Sequence, residues 1–173
     1  MKFKLTKETK TVFGIEFHRI EALKSFGDIK KGEKGGFIEK GDNLSQSENS
    51  WVYGNARVSG NTRVYGNSRV YGDTWVSGNA RVYGNSRVSG NAWVYGNSRV
   101  SGDSRVSGNS RVSGNAWVYG NSWVYGNSRV SGNSRVSGNS RVSGGLRLEF
   151  GFWFGRKRKS LDVTELENGE EIL

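Results

Sequence analysis

One position of a six-residue repeat is occupied sixteen times between Trp51 and Arg141, by eleven arginines and five tryptophans. A guanidinium holds phosphate, sulfate or carboxylate through paired N–H donors, and an indole offers a flat face to a base or a sugar. The chemistry on offer is recognition of a polyanion, either nucleic acid or an acidic glycan. Catalysis has less to work with. The chain has one histidine, His18 in FGIEFHRI, which lies outside the array and reads as a surface strand residue, and it has no cysteine. A three-histidine zinc site is therefore beyond a single chain, and thiol nucleophiles and disulfides are excluded. Acidic residues gather toward the termini without a spacing suited to acid–base work, while Asp73 and Asp103 stand where the repeat otherwise has asparagine. The glycines keep the six-residue period and follow no phosphate-loop spacing. Neither an enzyme nor a cofactor is expected.

These side chains must be positioned by the repeat itself, [Trp/Arg]-Val-[Tyr/Ser]-Gly-[Asn/Asp]-[Ala/Ser/Thr], in fifteen full copies from Trp51 and a sixteenth lacking its last two residues. Alternation along four extended residues sends Ala/Ser and Val to one face and Arg/Trp and Tyr/Ser to the other. Gly-Asn supplies residues that readily adopt turn or left-handed conformations. An up-and-down meander with Gly-Asn hairpins would leave sixteen valines on an uncovered sheet face. A solenoid turning about a third of a circle at each Gly-Asn closes that face on itself. The corner residues, from Asn55 to Asn139, are expected to stack into amide ladders. Proline is absent, as an uninterrupted β ladder requires.

The pattern Val-x-Gly-Asn-[Ala/Ser]-x, as in Val52 to Arg57, resembles the hexapeptide repeat of left-handed parallel β-helices, in which three hexads form one triangular coil. The left hand is what the resemblance implies. Many such proteins are acyltransferases that use a histidine on or beside the coils, often with loops interrupting the repeats. This array has neither, so no catalytic residue carries over, and a relationship to those enzymes stays a second alternative. The stretch GDIKKGEKGGFIEKGDNLSQSENSWVYGNARV resembles the approach to such arrays in small bacterial and prophage proteins.

An all-β chain follows: residues 1–38 as a β cap with a strand over Val12 to Ile20, 39–144 as the β-helix, and 145–173 as a C-terminal cap. Asn49-Ser50 and Asn43-Leu44 extend the repeat backward, giving about six coils and a rod about 30 Å long. LRLEFGFWF reads as one strand with Leu146, Leu148, Phe150, Phe152 and Phe154 on one apolar face and Trp153 on the other, suited to covering the last coil or pairing with another subunit. A basic run, Arg156 to Lys159, and a turn at Asn168-Gly169 follow.

Of the net charge of +10, the array contributes nearly all, with eleven arginines against Asp73 and Asp103. Every third hexad stacks, so the expected polyanion-binding residues are Arg69, Arg87 and Arg105 with Trp123 on one face, and Arg63, Arg81 and Arg99 with Trp117 on another. The alternative is that arginine, tryptophan and tyrosine are acceptable outward β residues copied along with the repeat. The leading expectation is a rigid scaffold or protein-interaction module that binds a partner or itself. The start has no apolar signal segment and no run of 18 apolar residues occurs, so no membrane contact and a cytoplasmic setting are expected. With only Thr62 and Thr74 in the array, a flat threonine-rich ice-binding face is missing.

Overall fold

Valine at one position and a small residue at another are the side chains slim enough to share the interior of a narrow coil. In the computed structural model, which describes residues 1–156, every valine from Val52 to Val142 is fully buried. Each as far as Val124 stands over the valine eighteen residues on, as in Val88, Val106 and Val124. The protein is a parallel β-solenoid of about six turns. Three backbone bonds per hexad join successive coils: Arg69 N–H donates to Ser86 O at 3.0 Å, Tyr71 N–H to Val88 O at 3.0 Å and Asp73 N–H to Gly90 O at 2.9 Å. Apart from Arg135–Val142, the ladder strands of the array are two residues long, Arg/Trp and Val, shorter than the four extended residues expected, because the corners take up the rest.

At each corner glycine alone enters the left-handed region. Gly84 has φ 69°, and a Cβ there would lie 3.0 Å from the amide nitrogen of Gly102 in the next coil. Positive φ at the second turn residue and not the third is the pattern of a type II′ turn. The asparagine that follows serves the ladder instead. Asn61, Asn79, Asn97, Asn115 and Asn133 pass Nδ2–H to Oδ1 bonds along one corner at 3.0–3.3 Å. Asp103 accepts from Asn85 at 2.9 Å but has no N–H to pass on, and the corner's next bond runs from Asn121 to Asn139.

The small interior position tolerates serine because the hydroxyl finds a carbonyl nearby. Ser128 Oγ donates to Tyr125 O at 2.7 Å, and Ser122 Oγ to Tyr119 O at 2.8 Å. Ser98 is fully buried and its hydroxyl has no partner. It sits in one column between Ala80 and Ala116, which occupy the same site without a polar atom.

The first coil is built by the N-terminal segment. An antiparallel hairpin, β1 (Phe3–Val12) and β2 (Ile15–Ala22), is followed by β3 (Lys34–Ile38), which pairs with β2 on one edge and with Arg57–Val58 on the other. The cap is thus continuous with one face of the solenoid, in a nine-stranded sheet. Val12 to Ile20 is not a single strand, because Phe13 (φ 50°) and Gly14 (φ 75°) turn the chain between β1 and β2. His18 lies in β2, opposite Thr9 and Ile38.

The backward phase also stops at Asn49-Ser50. Asn43 is buried and donates from Nδ2 to Gly60 O and Thr62 O, both at 3.0 Å, and Leu44 takes the interior site against Val64. Lys2 is buried beneath the first coil, where Nζ donates to Ser50 O at 2.8 Å and Ser47 O at 3.2 Å. Burial pulls its pKa from 10.5 down to about 8, against the opposing pull of Glu48.

The C-terminal end departs from a single apolar strand. Leu146 and Leu148 are buried because they continue the repeat's two interior positions, with Leu148 over Val130. The next corner is one residue short. From Asn49 onward an N–H reaches the carbonyl seventeen residues on, but Asn133 N–H reaches Glu149 O and Arg135 N–H reaches Gly151 O. That slip places Phe152 outward over Arg135 and Trp153 inward over Val136, reversing the expected sides. Phe150 and Phe152 are 57% and 62% exposed. Phe154 aligns with Ser137 in the backbone register. Lys157 to Lys159 and Asn168-Gly169 lie outside the described residues. Among the described residues no helix is long and apolar enough to cross a membrane.

Two outcomes are expected. Ser98→Ala removes an unpartnered buried hydroxyl and raises unfolding stability by about 1 kcal/mol, whereas Ser128→Ala lowers it by about as much; urea denaturation distinguishes them. Folded Lys2 holds its proton less tightly than the unfolded chain, so this stabilising contribution is full above pH 10.5 and is lost as pH falls toward 8. The stability of the wild type relative to Lys2→Met therefore rises from about pH 8 to about pH 10.

Candidate functional site

The interior is filled by valine and small residues, so binding chemistry belongs to the outward columns. Register sets these columns residue by residue. Face one carries Trp51, Arg69, Arg87, Arg105, Trp123 and Arg141. Face two carries Arg57, Trp75, Trp93, Arg111 and Arg129 and runs on to Arg147. Face three carries Arg63, Arg81, Arg99, Trp117 and Arg135, followed by Phe152. All three follow the eighteen-residue spacing expected.

The cap occupies the upper end of each face. Trp51, expected on the outer surface, is fully buried under Phe3 and Phe26, whose rings meet it edge-on at 6.2 and 5.4 Å. Asp28 from the same segment pairs with Arg69 at 2.9 Å. On face two the tip of the hairpin reaches Trp75, with Phe13 stacked on it at 5.5 Å and Phe17 edge-on at 6.2 Å. On face three the segment from Gly41 to Gln46 forms one wall of a cleft whose other side is Arg63, Tyr65 and Arg81. Tyr65 stacks on Tyr83 at 4.9 Å, and burial together with this neighbour raises its pKa.

Further along the rod the tryptophans are claimed by arginines. Trp117 lies between the guanidiniums of Arg99 (5.5 Å) and Arg135 (5.9 Å), and Trp123 between Arg105 (4.6 Å) and Arg141 (5.1 Å). Arg111 stands 5.2 Å from Trp93. The expected association of Arg105 with Trp123 and Arg99 with Trp117 is present. Its consequence differs from the one expected, because each half-buried indole already lies between two guanidiniums and is not an open platform for a base. The cation–π attraction offsets the repulsion within each arginine column.

Arg81 and Arg87 have neither a carboxylate nor a ring against their guanidiniums among the described residues. Sequence reasoning overlooked a third set. Arg111, Arg129 and Arg147 stack without an aromatic interruption and line a groove with Tyr95, Ser113, Ser131 and Glu149. Its signal was the continuation of the repeat through Leu146-Arg147-Leu148, which the alternation of apolar residues up to Phe154 obscured. Among the described residues no group of three or more His, Cys, Asp or Glu side chains is arranged to hold a metal ion.

The family model of the YdcK β-solenoid repeat matches seven segments, at residues 52–66, 63–78, 76–90, 80–96, 86–102, 104–120 and 110–126. Together the matches cover residues 52–102 and 104–126, where the array is similar to the YdcK β-solenoid repeat. The matched segments are 15 to 17 residues long, close to one coil. No curated protein matches the chain.

Replacing Trp123 by Leu removes two cation–π contacts and exposes Arg105 and Arg141 to each other's charge across the gap. A loss of about 1–2 kcal/mol is expected in urea denaturation, and it shrinks when Arg105 is also changed to Ser.

Proposed function

We propose that this protein is a non-catalytic rigid rod that binds a protein partner or a second copy of itself through its outer surface. The observation that carries this reading is the unbroken backbone register from Trp51 to Leu148, which fixes every outward side chain on a stiff frame and leaves a filled interior. A coil that contacts only its neighbours suits a spacer or platform. Exposed Phe150 and Phe152 at the end of the rod are the apolar residues best suited to assembly, beside the half-buried Trp153. Light scattering tests the self-associating form: the wild type is expected above monomer mass and Phe152→Lys at monomer mass. A monomer in both cases removes self-association.

A second reading, polyanion binding, is favoured by a different observation. Of the eleven array arginines, Arg69 is the one paired with a carboxylate among the described residues. The other ten have no carboxylate against them among the described residues, and six of these lie over indoles. Polyanion affinity of this kind falls steeply with salt.

A further inference from the structure

The three faces are not equivalent as anion sites, although each carries a column of arginines. The upper part of every face is engaged with the cap. On faces one and three the lower arginines are stacked on Trp123 and Trp117, and in the backbone register the columns run on from Arg141 to Arg156 and from Arg135 to Phe152. Faces one and three also stack three arginines in consecutive coils, but Arg69 is paired with Asp28, Arg63 and Arg81 share a cleft with the cap, and Arg105 and Arg99 lie over Trp123 and Trp117. On face two Arg111, Arg129 and Arg147 stack clear of the cap, with exposed side chains at a rung spacing of about 4.8 Å. Among the described residues Arg129 and Arg147 hold neither a carboxylate nor an aromatic ring, and Arg111 touches Trp93 at the upper end.

Beside this column runs a second one. Ser113 and Ser131 lie two residues further along the same rungs and so project from the same face, Ser131 Oγ donating to Leu148 O at 3.3 Å and keeping its lone pairs to accept from a ligand. The groove between and around these columns is closed above by Tyr95, which is 38% exposed, and below by Glu149. Three positive charges, two hydroxyls and one aromatic ring at the end thus face one negative charge.

We propose that this groove on face two binds an acidic glycan, with anionic groups of successive sugars paired to Arg111, Arg129 and Arg147, sugar hydroxyls on Ser113 and Ser131, and a terminal sugar against Tyr95. The proposal rests on the polyanion reading and adds a place and a ligand class to it. Guanidinium forks match carboxylate and sulfate equally, so the shared chemistry is a chain of sugars bearing regularly repeated anions. A single-stranded nucleic acid fits less well, because sequence-tolerant binding of bases uses an open aromatic platform for each base. Tyr95 is the one such surface lining the groove, Trp93 on the rung above Arg111 is held by that guanidinium, and the indoles of the other two columns, Trp117 and Trp123, each lie between two guanidiniums.

Isothermal titration at low salt tests this with three probes of similar total charge: a heparin-derived oligosaccharide, an oligogalacturonate and an oligothymidylate. One or both glycans are expected to bind more tightly than the oligothymidylate, and comparison of the two distinguishes sulfate from carboxylate as the anion read. Arg129→Ser and Arg147→Ser are each expected to weaken glycan binding about tenfold, the loss of one charge-assisted contact. Arg81→Ser on face three and Arg87→Ser on face one remove the same charge and are expected to change it less than about twofold. Equal losses from all four variants overturn the site while leaving polyanion binding through net charge. Tighter binding of the oligothymidylate overturns the glycan. No binding of any probe removes both the site and the polyanion reading beneath it.

Discussion

Parallel, in-register pairing of each coil with the next is the constraint on which everything else in this protein depends. An N–H that reaches the carbonyl seventeen residues ahead requires every coil to contain eighteen residues, and eighteen is three hexads. Once that spacing holds, valine must fall on valine, glycine on glycine and asparagine on asparagine. The corner shows how tightly the requirement binds. Gly84 needs its positive φ, and its α-carbon lies so close to Gly102 that a side chain there would press on backbone. A column of glycines is therefore as much a packing element as the column of valines.

The same stacking creates a cost, because identical outward residues bring like charges together. Arginine over arginine repels modestly in water, and the fold answers with indoles placed between guanidiniums at Trp117 and Trp123. Face two below Trp93 has no such insertion. The contrast gives the faces different chemical characters although a single repeat produced them all. It also reassigns the tryptophans from ligand platforms to parts of the rod's own surface packing.

The ends obey a different logic from the array. A solenoid coil has unpaired backbone groups and exposed apolar side chains at its terminus, and here the N-terminal segment meets those needs with specific groups. Ile38 and Leu44 supply interior residues for the first coil, Asn43 satisfies two carbonyls, and Glu39 and Glu48 accept from the amides of Gly60 and Gly66. None of these contacts repeats, so no periodicity announces them. The strand expected over Val12 to Ile20 and the single apolar strand over residues 146 to 154 both failed for this reason. Alternation of apolar residues is a local signal, whereas the turn at Phe13-Gly14 and the shortened corner at Glu149 to Gly151 depend on what the neighbouring coil presents.

The sequence by itself determined the coil: the six-residue period, the buried valine and small positions, the glycine corners, and which residues lie eighteen apart. It could do so because each hexad's environment is made by copies of itself, so local pattern and tertiary contact carry the same information. Only the tertiary structure decided which outward residues are free to act. Trp51 and Trp123 occupy the same repeat position, yet one is buried by Phe3 and Phe26 and the other is held between two arginines. Arg69 and Arg129 likewise share a letter in the repeat, and the difference between them is Asp28, brought over Arg69 from forty-one residues away. Availability depends on non-repeating neighbours, and the fold of the cap is what chooses them.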